Sequence, residues 1–572
     1  MSRASRQDRS GRAEPRTSGP APWDDPATLH RLSPRRRAHH PVRESAPSPL
    51  DLRLAPSAAG AWAAAFWAVG LDGERPWLPA AVGAVAAAAA AVPLAVAASR
   101  FRPPRHRYDP RPGADNPDRS ASGSLAASLL VLALTVSAVL TAATAGSWAR
   151  SRDPLTIAAR EGRTVTLTGT VTRAPRAAAT ARWTTVLTVV AVDTVDGAPS
   201  RLTTSVLGDA DWLEVPMGAP VRVQARLRPA DPGAAEAAII GANAAVTVTG
   251  PATGALGTVA RLRAGLVEAV GEEPNGADDA ESRWPAGTRA LVPGVALGDD
   301  HALPTDVRED MRTVSMTHLT AVSGQHVAIV LGLVLSGLGV LPRWVRAGVG
   351  ALVLVGLVVL VRPDGSVLRA ATMGMVMLLG VAAGRRSASL PALCTGVIVL
   401  LLVDPWQSRD YGFALSVLAT AGILLGSAPL AAVLSRRLPR PLAAGVALPL
   451  VAQLACAPVL VLLQPVVGVW SVPANVLAAP PVPVATVCGI LAALVEPLCP
   501  QAATVIAWPA TASCAWLALV ARVFARLPGA ALAWPDQMGG ALLLAALEAA
   551  AVGLLYRRRR RRARRPPGRG RL

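Results

Sequence analysis

The sequence predicts a polytopic α-helical membrane protein of about twelve transmembrane helices, with a small OB-like β-barrel domain inserted on the extracytoplasmic side. Three observations predict this class. The 572 residues are 52% hydrophobic and 16% charged, whereas ordinary soluble domains carry about 25% charged residues. Many apolar runs approach the ~20 residues that a helix needs to cross a ~30 Å hydrocarbon core. One long segment between these runs instead alternates polar and apolar residues, which is typical of β-strands.

The N-terminal part of the chain predicts a tail followed by three membrane helices. Residues 1–50 are rich in Arg, Pro and Ser, and we expect a disordered basic tail in the cytoplasm. Residues 51–150 contain apolar runs near 55–71, 77–98 and 125–147. The positive-inside rule places both the tail and the Arg-rich loop after residue 98 in the cytoplasm. The third helix must then lead outward, so the next region lies outside.

Residues 151–255 predict the inserted β-barrel domain. Strand-like alternation occurs near 165–172, 184–192, 201–207, 221–227 and 246–249, with Gly and Pro in the gaps. Five short strands fit an OB-fold, which often binds single-stranded nucleic acid through basic grooves and stacking aromatics. The candidate DNA-binding side chains are Arg173, Arg176, Arg182, Trp183, Trp212, Arg222 and Arg226. An equally weighted alternative is a structural barrel with solvated Arg side chains and a core Trp.

The second half of the chain predicts a helical membrane domain. Residues 256–312, which carry several carboxylates, predict an amphipathic, peripheral linker on the membrane surface. Residues 313–556 predict nine spans, near 317–341, 346–361, 367–383, 388–403, 411–433, 442–463, 471–495, 502–526 and 538–556. Residues 557–572 predict an Arg-rich cytoplasmic tail. With this topology, the Arg-dense connections fall in the cytoplasm except for Arg522 and Arg526.

The stretch from His318 to His326 is the first candidate site. Polar residues at the depth of a membrane are costly, so such a cluster is a functional hypothesis by default. Ser323 and Gly324 predict a break in the helix, since Gly weakens helices and allows close backbone approach. Counted at 1.5 Å per residue, His326 lies ~20 Å into the membrane, near its middle.

Several classes of chemistry find little support in the sequence. Two His residues eight apart are separated by ~80° around a helix and by more than two turns, so they cannot share a metal without a break. An intramembrane hydrolase using Ser323 stays open, although Ala321 stands where the usual first Gly of Gly-x-Ser-Gly would be. The sequence contains no Lys, which excludes a Walker A motif. We therefore predict no catalytic residue, metal or cofactor.

The residues His318-Leu-Thr-Ala-Val-Ser-Gly-Gln-His326, with the Val-Ala-Ile-Val that follows, resemble the signature of the ComEC-type competence proteins, a family of inner-membrane DNA-uptake channels. The resemblance extends to residues 367–373, 404–406, 411–416 and 471–475. It implies an external OB-like domain that receives DNA and a helical channel that passes one strand into the cytoplasm. The implied channel residues are His318, Ser323, Gly324, Gln325, His326, Arg369, Asp404, Trp406, Asn475 and Pro480.

Two departures from the family pattern qualify what the resemblance implies. Gln325 stands where the family usually has Leu, and the sequence ends in an Arg-rich tail where many members carry a metallo-β-lactamase-like domain. The implied partners are single-stranded DNA, a membrane DNA receptor, a cytoplasmic ATP-driven helicase or translocase, a separate nuclease and the lipid bilayer of the cell membrane. The alternatives are a transporter of another polymer or of a small solute, and an intramembrane hydrolase.

Overall fold

The computed structural model of the protein describes residues 52–71, 77–85, 88, 117–179, 184–241, 244–271, 284–361, 365–383 and 389–563. The predicted tail 1–50 lies outside these ranges, as do most of the predicted second span and residues 564–572. The helices are α1 (Ala55–Val69), α2 (Pro117–Ser151), α3 (Pro154–Glu161), α4 (Gly254–Val270), α5 (Thr288–Leu297), α6 (Thr305–Thr313), α7 (Gly324–Gly337), α8 (Arg343–Val361), α9 (Gly365–Ala382), α10 (Ser389–Val403), α11 (Tyr411–Leu434), α12 (Arg440–Leu463), α13 (Ser471–Ala478), α14 (Val482–Val495), α15 (Pro500–Ala525) and α16 (Gln537–Ala563).

The inserted domain is a closed five-stranded barrel, as predicted. Its strands are β1 (Thr164–Ala179), β2 (Thr184–Val195), β3 (Ala198–Pro199), β4 (Thr203–Gly208), β5 (Pro220–Pro229), β6 (Ala238–Ile240) and β7 (Ala245–Val248). The ring runs β1-β2-β4-β6-β5 and closes because β5 also pairs with β1. The β4–β6 pair is parallel, and the other pairs in the ring are antiparallel. Closure removes the free edges that an open sheet would expose.

The barrel core follows from the alternation of the strands. On β5 every second residue from Val221 to Leu227 is buried, and the residues between them are exposed. Helix α3 adds Leu155, Ala158 and Ala159 to this core. Its N-cap Asp153 accepts hydrogen bonds from the N–H of Leu155 at 2.9 Å and from Ser200 Oγ at 2.8 Å. The same carboxylate therefore starts the helix and fastens it to the barrel.

Two glycines of the barrel are required by close contacts. A Cβ on Gly169, at a bulge in β1, would lie 2.3 Å from the carbonyl oxygen of Ala191. A Cβ on Gly208 would lie 2.1 Å from the ring of Trp212, which is 1% exposed in the barrel core. Gly208 thus leaves the space that the indole fills. Trp212 is therefore a core residue, as the alternative of a structural barrel predicted.

The helical part has the length and composition of a multi-pass membrane protein. Six helices within the described ranges are long and apolar enough to cross a membrane: Ala127–Ser151 of α2, α8, α11, α12, α15 and Gln537–Leu554 of α16. Helices α13 and α14 pass the same test as a pair, with a bend of 51° between them. Four apolar helices are shorter: α5, α7, most of α9 and most of α10. The helix bounds agree with most of the predicted apolar runs.

The segment predicted as a peripheral linker, 256–312, packs differently. Every residue of α5 except Arg289 is buried, and α5 lies in one hydrophobic cluster with α14 and α15. A Cβ on Gly489 of α14 would lie 2.5 Å from the Cβ of Ala296, so the two helices meet through small residues. The short, Pro- and Gly-containing run of α5 is therefore a core helix, and this part of the prediction was wrong.

A small two-stranded sheet links distant parts of the helical domain. Strands β8 (Val466–Gly468) and β9 (Ala531–Ala533) pair antiparallel. The N–H of Trp534 donates to the carbonyl oxygen of Pro465 at 2.9 Å, and that of Val469 donates to Ala530 at 3.2 Å. These bonds bring both ends of the unit formed by α13, α14 and α15 together.

Candidate functional site

The chain before α7 is not helical, which corrects the predicted span at 317–341. Helix α6 ends at Thr313, and Ser315 follows with a φ of 56°, in the left-handed region. A short 3-10 turn covers Thr317–Leu319, and Ser323 is extended with φ −121° and ψ 176°. The helix then runs over Gly324–Gly337, or ~21 Å at 1.5 Å per residue. The predicted break at Ser323 is present, but it is the start of the helix.

His326 accordingly lies in the first turn of α7 rather than deep within a helix. The N–H of Ser323 donates to His326 Nδ1 at 3.1 Å, and Ser323 Oγ lies 3.2 Å from the same nitrogen. The ring is folded back over the N-terminus of the helix and is 1% exposed. This is the geometry of a capping box, in which a side chain at the third helical position accepts from the N-cap amide.

This contact bears on the hydrolase alternative. A serine nucleophile needs the lone pair of a His nitrogen as its base and a third group that orients the ring. Here the lone pair of His326 Nδ1 already accepts the backbone N–H of Ser323. No described residue accepts a hydrogen bond from the other ring nitrogen, Nε2. The Ser323–His326 pair therefore has the features of a helix cap, and the orienting contact of a catalytic dyad is not formed by the described residues.

Gly324 and Gln325 are both exposed at the start of α7. Gly324 does not have a positive φ, and an added Cβ would meet only the Cβ of Ala370, at 4.0 Å. The close backbone approach predicted for Gly324 is therefore not found, because the N-cap Ser323 produces the break by itself.

His318 and the motif of residues 471–475 meet at the loop after α6. His318 Nδ1 lies 3.0 Å from the carbonyl oxygen of Ser315, and its ring is exposed. Ser471 Oγ donates to Ser315 Oγ at 3.0 Å, and Asn475 Nδ2 donates to the carbonyl oxygen of Val314 at 3.4 Å. Residues that are 156 and 161 positions apart in the sequence thus hold the loop that precedes the His318 stretch. Pro480 lies in the bend between α13 and α14.

Arg369, Asp404 and Trp406 lie in a second group of contacts. Arg369 is 2% exposed, and its Nη1 donates to Asp410 Oδ2 at 3.1 Å. Asp404 caps the 3-10 turn Pro405–Arg409 by accepting the N–H of Trp406 at 3.1 Å. The guanidinium of Arg150, at the end of α2, stacks 4.2 Å from the Trp406 ring. These residues join helices to one another.

The barrel residues predicted to bind DNA have different surroundings. Arg173 and Arg222 are exposed on β1 and β5. Arg226 Nε donates to the carbonyl oxygen of Gly162 at 2.9 Å, so this side chain also supports α3. Trp212 is buried in the barrel core and cannot stack on a base, which corrects its predicted role. Arg182 and Trp183 lie outside the described residues.

Arg176 connects the barrel to the helical domain. Its Nη2 lies 2.6 Å from Asp300 Oδ1, in the loop after α5. Arg308 Nη2 donates to the carbonyl oxygen of Asp300 at 2.8 Å, which holds the same loop. His301 Nδ1 lies 2.5 Å from Asp299 Oδ1, and this hydrogen bond raises the pKa of the His301 imidazole. The carboxylates of this loop are therefore neutralised by cationic partners, and the loop connects the two domains.

A cavity of about 430 Å³ opens beside this connection. Arg176 lines it from the barrel, Arg308 and Arg312 line it from α6, and Asp300 is the carboxylate at its edge. Residues 320–322, immediately before Ser323, form another wall. Val322 is held there because Ser366 Oγ donates to its carbonyl oxygen at 3.1 Å. The cavity thus joins the barrel, three Arg side chains and the non-helical approach to α7.

Sequence reasoning missed Arg263, which is 6% exposed within α4. Its Nη2 donates to the carbonyl oxygens of Leu297 at 2.5 Å and Val361 at 3.0 Å, and its Nη1 lies 3.3 Å from Asp299 Oδ2. One guanidinium therefore holds the C-terminal ends of α5 and α8. Helix α4 also contains Arg261 and Glu268, so the sequence does not distinguish Arg263 as the buried cation, and its partners are distant in sequence.

The described residues contain no group of three or more His, Cys, Asp or Glu side chains placed to hold a metal ion. The arrangement around the cavity is instead cationic, with polar backbone groups at the terminus of α7. Such a site can attract and orient anions.

Comparison with known proteins shows that much of the helical part of the chain is similar to a known family. Residues 295–560 match the family model described as Competence protein. ComE operon protein 3 of Bacillus subtilis (strain 168) is 30% identical over 203 residues, which are 35% of this chain and 25% of that protein. The chain therefore spans about a quarter of the length of the curated relative that it matches. No solved structure matches the chain. The predicted resemblance to the ComEC-type family is confirmed.

Proposed function

Since residues 295–560 form a Competence protein domain, we propose that this chain is a membrane channel that passes single-stranded DNA into the cytoplasm during natural transformation. The observation that carries the proposal is the cavity between the barrel and the helices. Arg176, Arg308 and Arg312 line it, and it leads to the non-helical residues before Ser323. Phosphates are attracted to such a cationic path.

The barrel takes part in this proposal through charge rather than through base stacking. Arg173 and Arg222 are exposed, while the indole of Trp212 is buried. Counterion release makes phosphate binding strongly dependent on salt, whereas stacking on aromatic side chains adds affinity for each base. We propose that the barrel binds DNA weakly and hands it to the cavity at Arg176. The sequence given has no Lys and hence no Walker A motif, so an ATP-driven partner supplies the pulling force.

DNA import is the direct test of the channel. A naturally transformable host that lacks its own competence channel is supplied with this chain, and import of labelled DNA is measured at matched expression. Arg312→Glu is expected to lower import by roughly tenfold, because it reverses a charge beside the path and a change of ~1.4 kcal/mol is tenfold. Arg437→Gln is the control, because Arg437 is exposed near the end of α11 and does not line the cavity. This variant should import DNA as the wild type does.

Other outcomes of the same experiment separate the alternatives. If the wild-type chain restores no DNA import while a polyanion or small solute crosses in an Arg312-dependent way, the transporter alternative replaces DNA uptake. Ser323→Ala should retain most import, since a channel needs no nucleophile. Complete loss with Ser323→Ala, in protein that remains in the membrane, would favour the intramembrane hydrolase.

We also propose the topology of twelve spans, with the barrel outside the cell and both termini in the cytoplasm. It rests on the positive-inside rule and on helix bounds that agree with most of the predicted runs. In a variant with its five Cys replaced by Ala, Arg201→Cys in the barrel should react with a membrane-impermeant maleimide in intact cells. Arg557→Cys near the end of α16 should react only after lysis. Labelling of position 557 in intact cells would refute this orientation.

A further inference from the structure

The cavity between the barrel and α6 is lined by guanidinium groups and a carboxylate. Among the described residues that line it, Arg176, Arg308 and Arg312 are cationic and Asp300 alone is anionic. Arg176 Nη2 lies 2.6 Å from Asp300 Oδ1, so this carboxylate neutralises the cation that the barrel contributes. Within the described part of the chain, Arg312 has no carboxylate at ion-pair distance. The lining therefore has a net positive charge, which the carboxylate of Asp300 reduces.

The ion pair between Arg176 and Asp300 is open to exchange. Its two side chains are 45% and 19% exposed, and Asp300 Oδ1 accepts no hydrogen bond from the described residues. Ion pairs with this much access to solvent contribute little to stability, because water competes for both charges. The neighbouring pair of Arg263 and Asp299 is 7% and 10% exposed, and its guanidinium is also bonded to two carbonyl oxygens. Of the two adjacent carboxylates, only that of Asp300 can therefore leave its partner at small cost.

The backbone of Asp300 is held independently of its side chain. Arg308 Nη2 donates to the carbonyl oxygen of Asp300 at 2.8 Å, and the N–H of Leu303 donates to the same oxygen at 3.2 Å. The Asp300 carboxylate can therefore turn away from Arg176 while the loop keeps its path. An incoming anion can take its place on Arg176 without a rearrangement of the barrel.

We propose that Asp300 is the resident anion of a phosphate-binding site on Arg176, and that a phosphodiester of the passing DNA strand displaces it. This inference rests on the proposed function for the source of the phosphate, and inorganic phosphate offers the same chemistry. Guanidinium groups form charge-assisted hydrogen bonds with phosphates as they do with carboxylates. The cavity of about 430 Å³ has the size of small-ligand sites, which range from about 300 to 1,000 Å³.

Competition by Asp300 suits a site through which a polymer moves. Conduction requires binding that is strong enough for entry and weak enough for release. Three guanidinium groups without a carboxylate would hold a phosphate for longer. When a phosphate leaves, the Asp300 carboxylate returns to Arg176 and replaces it, so that release does not leave this cation bare.

Asp300→Asn tests the site, because it removes the charge and keeps the shape of the side chain. The purified full-length chain in phosphatidylcholine nanodiscs is titrated with a fluorescent thymidine dodecamer. Asp300→Asn should bind it roughly two- to fivefold more tightly than the wild type, the range for one partly exposed ion pair. Glu214→Gln is the matched control, since Glu214 is an exposed carboxylate of the barrel that does not line the cavity. This control should bind as the wild type does.

Arg176→Gln shows whether Asp300 acts through this ion pair. In the Arg176→Gln background, Asp300→Asn should increase the affinity by less than it does in the wild type, because there is no guanidinium for the carboxylate to occupy. An equal or larger gain would mean that Asp300 only repels phosphate, and the proposal would be wrong. If the pair only fastens the barrel, Asp300→Asn lowers the melting temperature without a gain in affinity, which also overturns the proposal. Asp300→Ala should gain affinity as Asp300→Asn does, and it replaces that variant if Asn prevents folding.

Two further probes separate this inference from the proposed function. Inorganic phosphate, compared with chloride at the same ionic strength, should raise the melting temperature of Asp300→Asn more than that of the wild type. A thymidine dodecamer with a neutral methylphosphonate backbone should bind both proteins equally, since it offers no anion to Arg176. If phosphate shows this difference but the chain imports no DNA, the site is supported and the channel proposal fails alone. If DNA is imported and Asp300→Asn gains affinity for neither anionic probe, the channel is supported and the site is refuted.

Discussion

Replacing Arg263 with Leu is expected to lower the stability of the helical domain by roughly 3–5 kcal/mol, the usual cost of removing one partner of a buried ion pair. The side chain is 6% exposed and holds Asp299, which is itself nearly buried. Its loss also leaves the carbonyl oxygens of Leu297 and Val361 without this donor. Both belong to the ends of helices, where unsatisfied carbonyl groups collect.

Thermal unfolding of the purified protein in a mild detergent measures this effect. Arg261→Leu is the matched control, since Arg261 lies two positions earlier on the same helix and is exposed. The double variant Arg263→Leu, Asp299→Leu should recover part of the loss, because it removes the buried carboxylate together with its partner. If Arg263→Leu melts at the same temperature as Arg261→Leu, the guanidinium does not hold these helices together.

Arg369→Leu should have the second-largest effect, on both stability and import. Asp410 receives the Arg369 guanidinium on Oδ2, and its two carboxylate oxygens accept the N–H groups of Gly412 and Phe413 at 3.0 and 3.1 Å. The ion pair therefore sits on the N-cap of α11. The Asp410 side chain is 49% exposed, so water solvates its charge when the Arg is removed, and the loss is that of the contact which holds α9 to the start of α11. We expect import to fall by roughly tenfold, which corresponds to ~1.4 kcal/mol.

Variants of Asp410 separate the ion pair from the cap. Asn can still accept the N–H groups of the first turn, whereas Ala cannot, so Asp410→Ala should be less stable than Asp410→Asn by ~1 kcal/mol. Melting temperatures and labelled-DNA import are measured at matched expression, with Arg343→Leu on α8 as an exposed control. Equal melting temperatures for Asn and Ala would contradict the capping role.

Hydrophobicity predicted most of the helical architecture, because long apolar helices have few alternatives in a membrane. The predicted run 442–463 is the helix Arg440–Leu463 in the structure. The run 317–341 was predicted too long, because hydrophobicity averaged over many residues does not indicate the residue at which the helix begins. Ser323, a residue type favoured at helix N-caps, indicated where the helix begins, but the prediction followed the apolar residues around it.

The barrel shows a similar limit. Four of the five predicted strands are members of the ring, where alternation is clear. The ring-closing strand β6 has only three residues, Ala238–Ile240, so it has too little alternation to detect. The predicted strand near 246–249 is β7, which pairs with β5 outside the ring. Closure depends on pairing between distant segments, which a single sequence does not display.

The candidate site was predicted where its contacts are local and missed where they are distant. Ser323 and His326 are three positions apart, so their contact follows from helix geometry. The carboxylates of residues 299 and 300 indicated a solvent-exposed surface. In the structure, Arg263 and Arg176 neutralise them from 36 positions away and from the barrel. The chemistry of those partners was visible in the sequence, but their proximity was not.

The attachment of the barrel has a mechanical consequence. Helix α2 is a continuous rod of 35 residues, ~52 Å long, and only Arg152 and Asp153 separate it from α3 at the barrel. On the other side, residues 249–253 lead from β7 to α4. Because both connections are short, the barrel cannot swing away from the helices. A tilt of α2 would therefore turn the barrel with it, so that a change in membrane thickness or tension around α2 would change the orientation of the barrel.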